Sequence, residues 1–194
     1  MHTAFFLYAA GRMTEENKMR ILDLGCGEHK TEGATGIDRR ELPGVDVVHD
    51  VNVFPWPLPD NSFDRIVCSH VIEHLTDIPA VMAEIHRVAK PGAEVFIRVP
   101  HFSCLNAYRD PTHRHYLSLK SFDVFCGDER YSDKNTRFRL VKRNLTFGSS
   151  LFDVPGKIIY KLKPRRYERR FAWIFPAREI RITLSVIKND GKAE

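Results

Sequence analysis

Ile21-Leu22-Asp23-Leu24-Gly25-Cys26-Gly27 is the stretch whose reading decides the fold. Ile21, Leu22 and Leu24 make a short apolar run of the kind buried in parallel sheets. An acid and a Gly-x-Gly turn close it. The two glycines let the main chain reverse sharply and leave room for a ligand against the backbone. A ligand crossing the carboxyl end of a central strand is the standard site of doubly wound α/β folds. Two more apolar stretches end in the same manner, at Asp38 and at Asp50.

Working outward, strands are expected over 20–24, 35–38, 45–49, 63–69 and 93–99. Only residues 28–35 separate the glycine turn from the second strand, too few for a packed crossover helix, so a turn is expected there. The third strand is entered from Pro43-Gly44. Three prolines around Trp56 make 53–61 a rigid loop. Asp77 is placed to cap a helix with Pro79 in its first turn, and Val81, Ile85 and Val88 mark one face of it. Pro91-Gly92 is expected to stop that helix. A loop rich in His, Tyr and Arg follows over 101–117, then a short helix from Ser118 to about Phe125. Residues 138–147 and 179–187 alternate as the last two strands.

Asp23-Leu24-Gly25-Cys26-Gly27, Ile37-Asp38, His49-Asp50 and Asn61-Ser62-Phe63-Asp64, with Glu73-His74-Leu75 and Val88-Ala89-Lys90-Pro91-Gly92 after them, resemble the class I S-adenosylmethionine-dependent methyltransferases, in their small-molecule-type branch. The likeness covers about 20–100, and Asp110-Pro111-Thr112-His113 carries it toward a subgroup with that run. It implies a Rossmann-like α/β fold: a mixed seven-stranded sheet, helices on both faces, an antiparallel last strand. The implied domain is 20–194, after a leader over 1–19 with a helix over 14–19. Within the domain, 101–130 is the lid or acceptor region and 148–177 a basic aromatic insertion.

The resemblance also implies S-adenosylmethionine as cofactor and assigns residues to it. Asp38 would accept both ribose hydroxyls, as one carboxylate suits a vicinal diol. Asp50 and the Val51 amide would meet adenine. Asp23, Gly25, Cys26, Gly27 and Ser69 would line the methionyl end, with the loop amides holding its carboxylate. A dinucleotide oxidoreductase shares the acid after strand two, but its Gly-x-Gly-x-x-Gly needs glycine where Lys30 stands. For a protonated acceptor the base candidates are His101 and His113, with Ser69, His70, Glu73 and Asp110 nearby and His74 structural. His70, Glu73, His74, His101, His113 and His115 hold enough ligands for a divalent ion, yet their spacing assigns none. The acceptor is expected to be a small molecule, or such a part of a glycan or lipid. An RNA or protein substrate, or a cofactor-binding pseudoenzyme, is the alternative.

The chain has 194 residues and a formal net charge of +5. Seven bases and one acid lie in 157–170, so the remainder, with 23 basic and 24 acidic residues, is nearly neutral. Aromatic and aliphatic residues are interleaved with that charge. A lid helix broken at Pro164 is the plain reading; an anionic membrane surface or a nucleic-acid backbone is the sharper one. Four cysteines without metal-ligand spacing read as reduced thiols of a cytoplasmic protein. No apolar run reaches the length of a membrane span.

Overall fold

The computed structural model describes residues 19–127 and 136–188, so the expected leader lies outside the described residues except for Met19. Seven strands form one sheet in the order β3-β2-β1-β4-β5-β7-β6. They are β1 (Ile21–Leu24), β2 (Ala34–Asp38), β3 (Val47–Val48), β4 (Phe63–Ser69), β5 (Ala89–Pro100), β6 (Arg137–Thr146) and β7 (Glu179–Ile187). β1 to β5 run parallel, and β7 is antiparallel to both β5 and β6. The mixed seven-stranded sheet and its antiparallel end are as expected.

The register sorts side chains onto two unlike faces. Leu22, Leu24, Ile37, Ile66, Cys68, Val95, Ile97 and Val99 share one face and are inaccessible to solvent. Ile180, Ile182, Leu184 and Val186 of β7 continue it. On the opposite face stand Arg65, Glu94, Arg98 and Arg181, with ion pairs Arg65–Glu94 and Arg181–Glu179. Burial of the apolar face is the main stabilising term of the fold.

Helix α1 (Ile78–Val88) turns Val81, Met82, Ile85 and Val88 into the core, and His86 on it meets Phe138 of the apolar face edge to face. Asp77 caps it, accepting a bond from Ala80 N–H at 2.9 Å. The helix ends at Val88 because Ala89 is already extended and pairs with Phe63. β5 therefore runs through Pro91-Gly92, which sit in a strand and do not stop the helix. Short helices α2 (Leu105–Arg109), α3 (Val154–Leu162) and α4 (Pro164–Arg170) complete the set. α3 stops at Leu162 and Pro164 opens α4, the break expected there. Over 118–125 only a 3-10 turn, Asp123–Phe125, forms.

Helices were expected on both faces. Among the described residues, α1 and α4 meet the apolar face, and no helix occupies the β1–β2 or β2–β3 connections. Those links are too short for one. No helix among the described residues is long and apolar enough to cross a membrane.

Candidate functional site

The turn after β1 does what its glycines allow. Gly25 has φ +63° and Gly27 φ +53°. A Cβ on Gly25 would lie 2.5 Å from Val71 Cγ2, so the turn is packed directly beneath the segment leaving β4. The loop amides were expected to face a ligand. They are instead used within the fold: Gly25 N–H and Cys26 N–H donate to Ile37 O, and Gly27 N–H donates to Asp38. Without a helix to follow, the turn closes on the end of the neighbouring parallel strand.

Asp38 is buried at the end of β2. One of its oxygens takes Gly27 N–H and the other Arg40 N–H, both at 2.9 Å. The Arg40 guanidinium also pairs with Oδ1 at 3.5 Å, while Oδ2, with one donor, keeps an acceptor site for a further donor such as a ribose hydroxyl. Asp50 is exposed and folds Asn52 back on itself: Oδ1 accepts from the Asn52 amide and side chain, which holds its carboxyl below the usual aspartate range. Asn52, which the sequence reading passed over, also accepts from Thr76 N–H and so ties this loop to the segment after β4. Val51 is buried, and its carbonyl accepts from Trp56 Nε1. Asp23 is buried and accepts from Thr31 N–H at 2.6 Å. Cys26 is buried against Gly36, where any Cβ would fall 2.6 Å from its sulfur; burial raises its thiol pKa, which suits packing rather than nucleophilic attack. Ser69 Oγ accepts twice from the Arg98 guanidinium.

The segment between β4 and α1 carries the second half of the site. His70, at φ +54°, places its ring between Glu73 and Glu179. The bond to Glu73 holds its pKa above the ordinary histidine value. A 3-10 turn over Ile72–His74 follows. The 101–117 loop is stitched onto that turn: Arg114 N–H and His115 N–H donate to Glu73 O, and the His115 ring meets Leu75 O. This brings His113 against His74, ring centroids 4.6 Å apart. Glu73, His74 and His113 offer ligand atoms all within 4.8 Å of one another.

His101 goes elsewhere. It has no solvent exposure, and its ring lies inside the fold. Ser103 N–H points at Nδ1, so Nε2 carries the proton and donates to Glu168 at 3.0 Å. Both nitrogens are occupied away from the Glu73–His74–His113 group, which corrects its expected place beside His113 at the acceptor. The reason is packing that no local pattern reveals: Glu168 of α4, 67 residues away, reaches back to it.

The same contact ties 157–170, expected as a lid helix broken at Pro164, to the core. Tyr167 of α4 is fully buried, its ring edge to face with Phe147 and Tyr160 and tilted against His101. α3 and α4 are therefore part of the core on one side. A cavity of about 650 Å³ opens between α4 and β6, lined by Leu119, Leu140, Arg143, Lys163, Arg166 and Glu168 among others. On the other side α3 leaves Val154, Ile158 and Leu162 exposed at helical spacing, beside Leu151 and Phe152 at 87% and 85% exposure.

Residues 3–139 match a family model described as a methyltransferase domain. A probable S-adenosylmethionine-dependent methyltransferase of Mycolicibacterium smegmatis is 32% identical over 107 residues, 46% of this chain and 41% of that protein. The ubiquinone biosynthesis O-methyltransferase of Hahella chejuensis is 31% identical over 108 residues, 45% of this chain and 43% of its own. The chain thus spans less than half the length of these two relatives. In structure it is similar to a SAM-dependent methyltransferase from Archaeoglobus fulgidus, with a TM-score of 0.62 at 18% identity over 88% of this chain and 87% of that one.

Proposed function

The chain belongs to the class I S-adenosylmethionine-dependent methyltransferases, and from that premise we propose that it methylates a hydroxyl of a small molecule, or of the small-molecule part of a glycan or lipid. The observation that carries this reading is the Glu73–His74–His113 cluster on the segment packed over Gly25. It supports a source of proton-accepting groups on the segment whose Val71 packs on the glycine turn, as an oxygen nucleophile would need near the methyl. The likeness to a ubiquinone biosynthesis O-methyltransferase supports an oxygen acceptor.

The residues present fit the cofactor. Asp38 would meet the ribose diol with the acceptor site it keeps, and Asp50 and Val51 would flank the adenine. Asp23, Gly25, Cys26, Gly27 and Ser69 would border the methionyl end. When bound, the cofactor supplies a methyl group made electrophilic by a positively charged sulfur. The chain then has three tasks: to align the acceptor oxygen in line, to exclude water, and to receive the acceptor's proton as the new C–O bond forms. The 101–117 loop, fixed to Glu73 O, would serve the first two. His113, with the cluster around it, is assigned the third. His101 is assigned a positioning role through Glu168.

Asp38→Ala is expected to weaken S-adenosylmethionine binding by about 1–3 kcal/mol, through loss of charge-assisted hydrogen bonds and of the turn they hold. Titration calorimetry checks it; wild-type affinity in the variant would remove Asp38 from the site. Turnover with a panel of hydroxylated acceptors tests the reaction itself. Cofactor binding without turnover on any of them, RNA and protein included, would make the chain a binding protein.

We also propose that α3 docks on an anionic membrane surface. Its exposed stripe Val154, Ile158 and Leu162 is flanked by Lys157 and Lys161. Basic charge beside exposed bulky apolar groups suits lipid headgroups better than a nucleic-acid backbone. The full chain should sediment with phosphatidylserine vesicles, and F152S with I158S should cut the bound fraction about tenfold. Equal binding to neutral vesicles, or no effect of the substitutions, would rule this out.

A further inference from the structure

The cluster beside the cofactor turn is organised in a way that a free catalytic base does not require. Glu73 is 1% exposed, and its second oxygen, Oε2, is buried with no hydrogen-bond partner among the described residues. A buried carboxylate oxygen without a partner is costly and marks a site made for one.

The two imidazoles are set in complementary fashion. His113 Nδ1 lies 2.9 Å from the Ala107 carbonyl, which can only accept, so Nδ1 carries the proton. In the neutral ring the lone pair then falls on Nε2. His74 Nδ1 lies 2.9 Å from Thr112 Oγ1. The single Thr112 hydroxyl proton is already given to Asp110 at 2.7 Å, so this oxygen must accept from His74. His74 likewise keeps its lone pair on Nε2. Histidine ligands to metals are held in this manner, with the far nitrogen donating to a carbonyl or to a carboxylate-linked group. The Asp110-Pro111-Thr112-His113 run thereby gains a physical reading: it supplies one ligand and the group that orients another.

We infer that Glu73, His74 and His113 form a binding site for one divalent transition ion of the zinc class. Two imidazoles and one carboxylate suit zinc or its neighbours better than magnesium, which prefers an all-oxygen shell. Three protein ligands leave a position open, as catalytic sites do. The inference rests on the methyltransferase reading for its purpose and revises the role of His113 within it: with an ion bound, the Nε2 lone pair of His113 would be a ligand and not a base, and an acceptor hydroxyl at the open position would lose its proton more readily, to solvent. The metal binding itself stands or falls separately.

The test uses the full chain, stripped with a chelator and titrated with Co²⁺ in place of Zn²⁺. The wild type should bind one Co²⁺ per chain, seen as visible ligand-field absorption, and Zn²⁺ should displace it. H74Q and H113Q should each weaken binding by more than about 100-fold, and T112V by about 10- to 100-fold. These substitutions are at partly exposed residues, so circular dichroism should be unchanged; E73Q, at a buried one, is the supplementary variant. No stoichiometric Co²⁺ site in the wild type, or undiminished affinity in both histidine variants, overturns the inference. Calorimetry with S-adenosylmethionine on the stripped protein separates the two readings. Cofactor binding and turnover that persist in chelator remove the ion from the chemistry and leave His113 as base, whereas absent cofactor binding removes the methyltransferase reading whatever the cobalt shows.

Discussion

His113→Asn is expected to lower methyl-transfer turnover by roughly 100- to 10,000-fold, the range for losing a group that handles the acceptor's proton. Affinity for S-adenosylmethionine should hardly change. The residues proposed for the cofactor, Asp23, Asp38 and the 25–27 turn, make no bond to His113. The half-buried ring is held by one bond to Ala107 O, so the substitution leaves the backbone links from Arg114 and His115 to Glu73 in place. The defect should shrink for an acceptor that is already ionised, since it brings no proton to remove. Steady-state kinetics on a matched pair of acceptors measures this. Unchanged turnover would detach the cluster from the chemistry, and an equal defect on both acceptors would point to positioning.

Glu168→Ala is expected to destabilise the fold by about 2–4 kcal/mol. One carboxylate oxygen accepts from His101 Nε2 at 3.0 Å and from Leu119 N–H at 2.7 Å. Removing it strands a fully buried imidazole N–H and a backbone donor. It also unfastens α4 from the end of β5. Burial works to raise the Glu168 pKa, but the bonds from His101 and the Leu119 amide prevail and hold it below its ordinary 4.5. A depressed carboxyl stabilises the fold above its unfolded pKa, and that contribution fades as pH falls through the folded value. The gap between wild type and Glu168→Gln should therefore be full at neutral pH and narrow in acid. Thermal melts across pH measure both. Equal melting temperatures for wild type and Glu168→Ala at pH 7 would show α4 to be a loose appendage.

By itself the sequence determined the frame. Apolar runs that end in Asp23, Asp38 and Asp50 declare parallel strands, because buried strand composition and turn chemistry are local properties. The shortness of 28–35 likewise foretold a bare connection, since chain length alone forbids a helix there. Tertiary structure decided the partners. His101 and His113 look alike in sequence, each in the stretch after β5, yet one is sealed inside by Glu168 and the other reaches His74 and Glu73. The glycine-turn amides, free in any reading of the motif, are claimed by Ile37 and Asp38 of the next strand. Tyr167 sits in the most basic stretch of the chain and is fully buried. Long-range contacts of this kind depend on which surfaces the folded sheet brings together, and spacing along the chain does not carry that information.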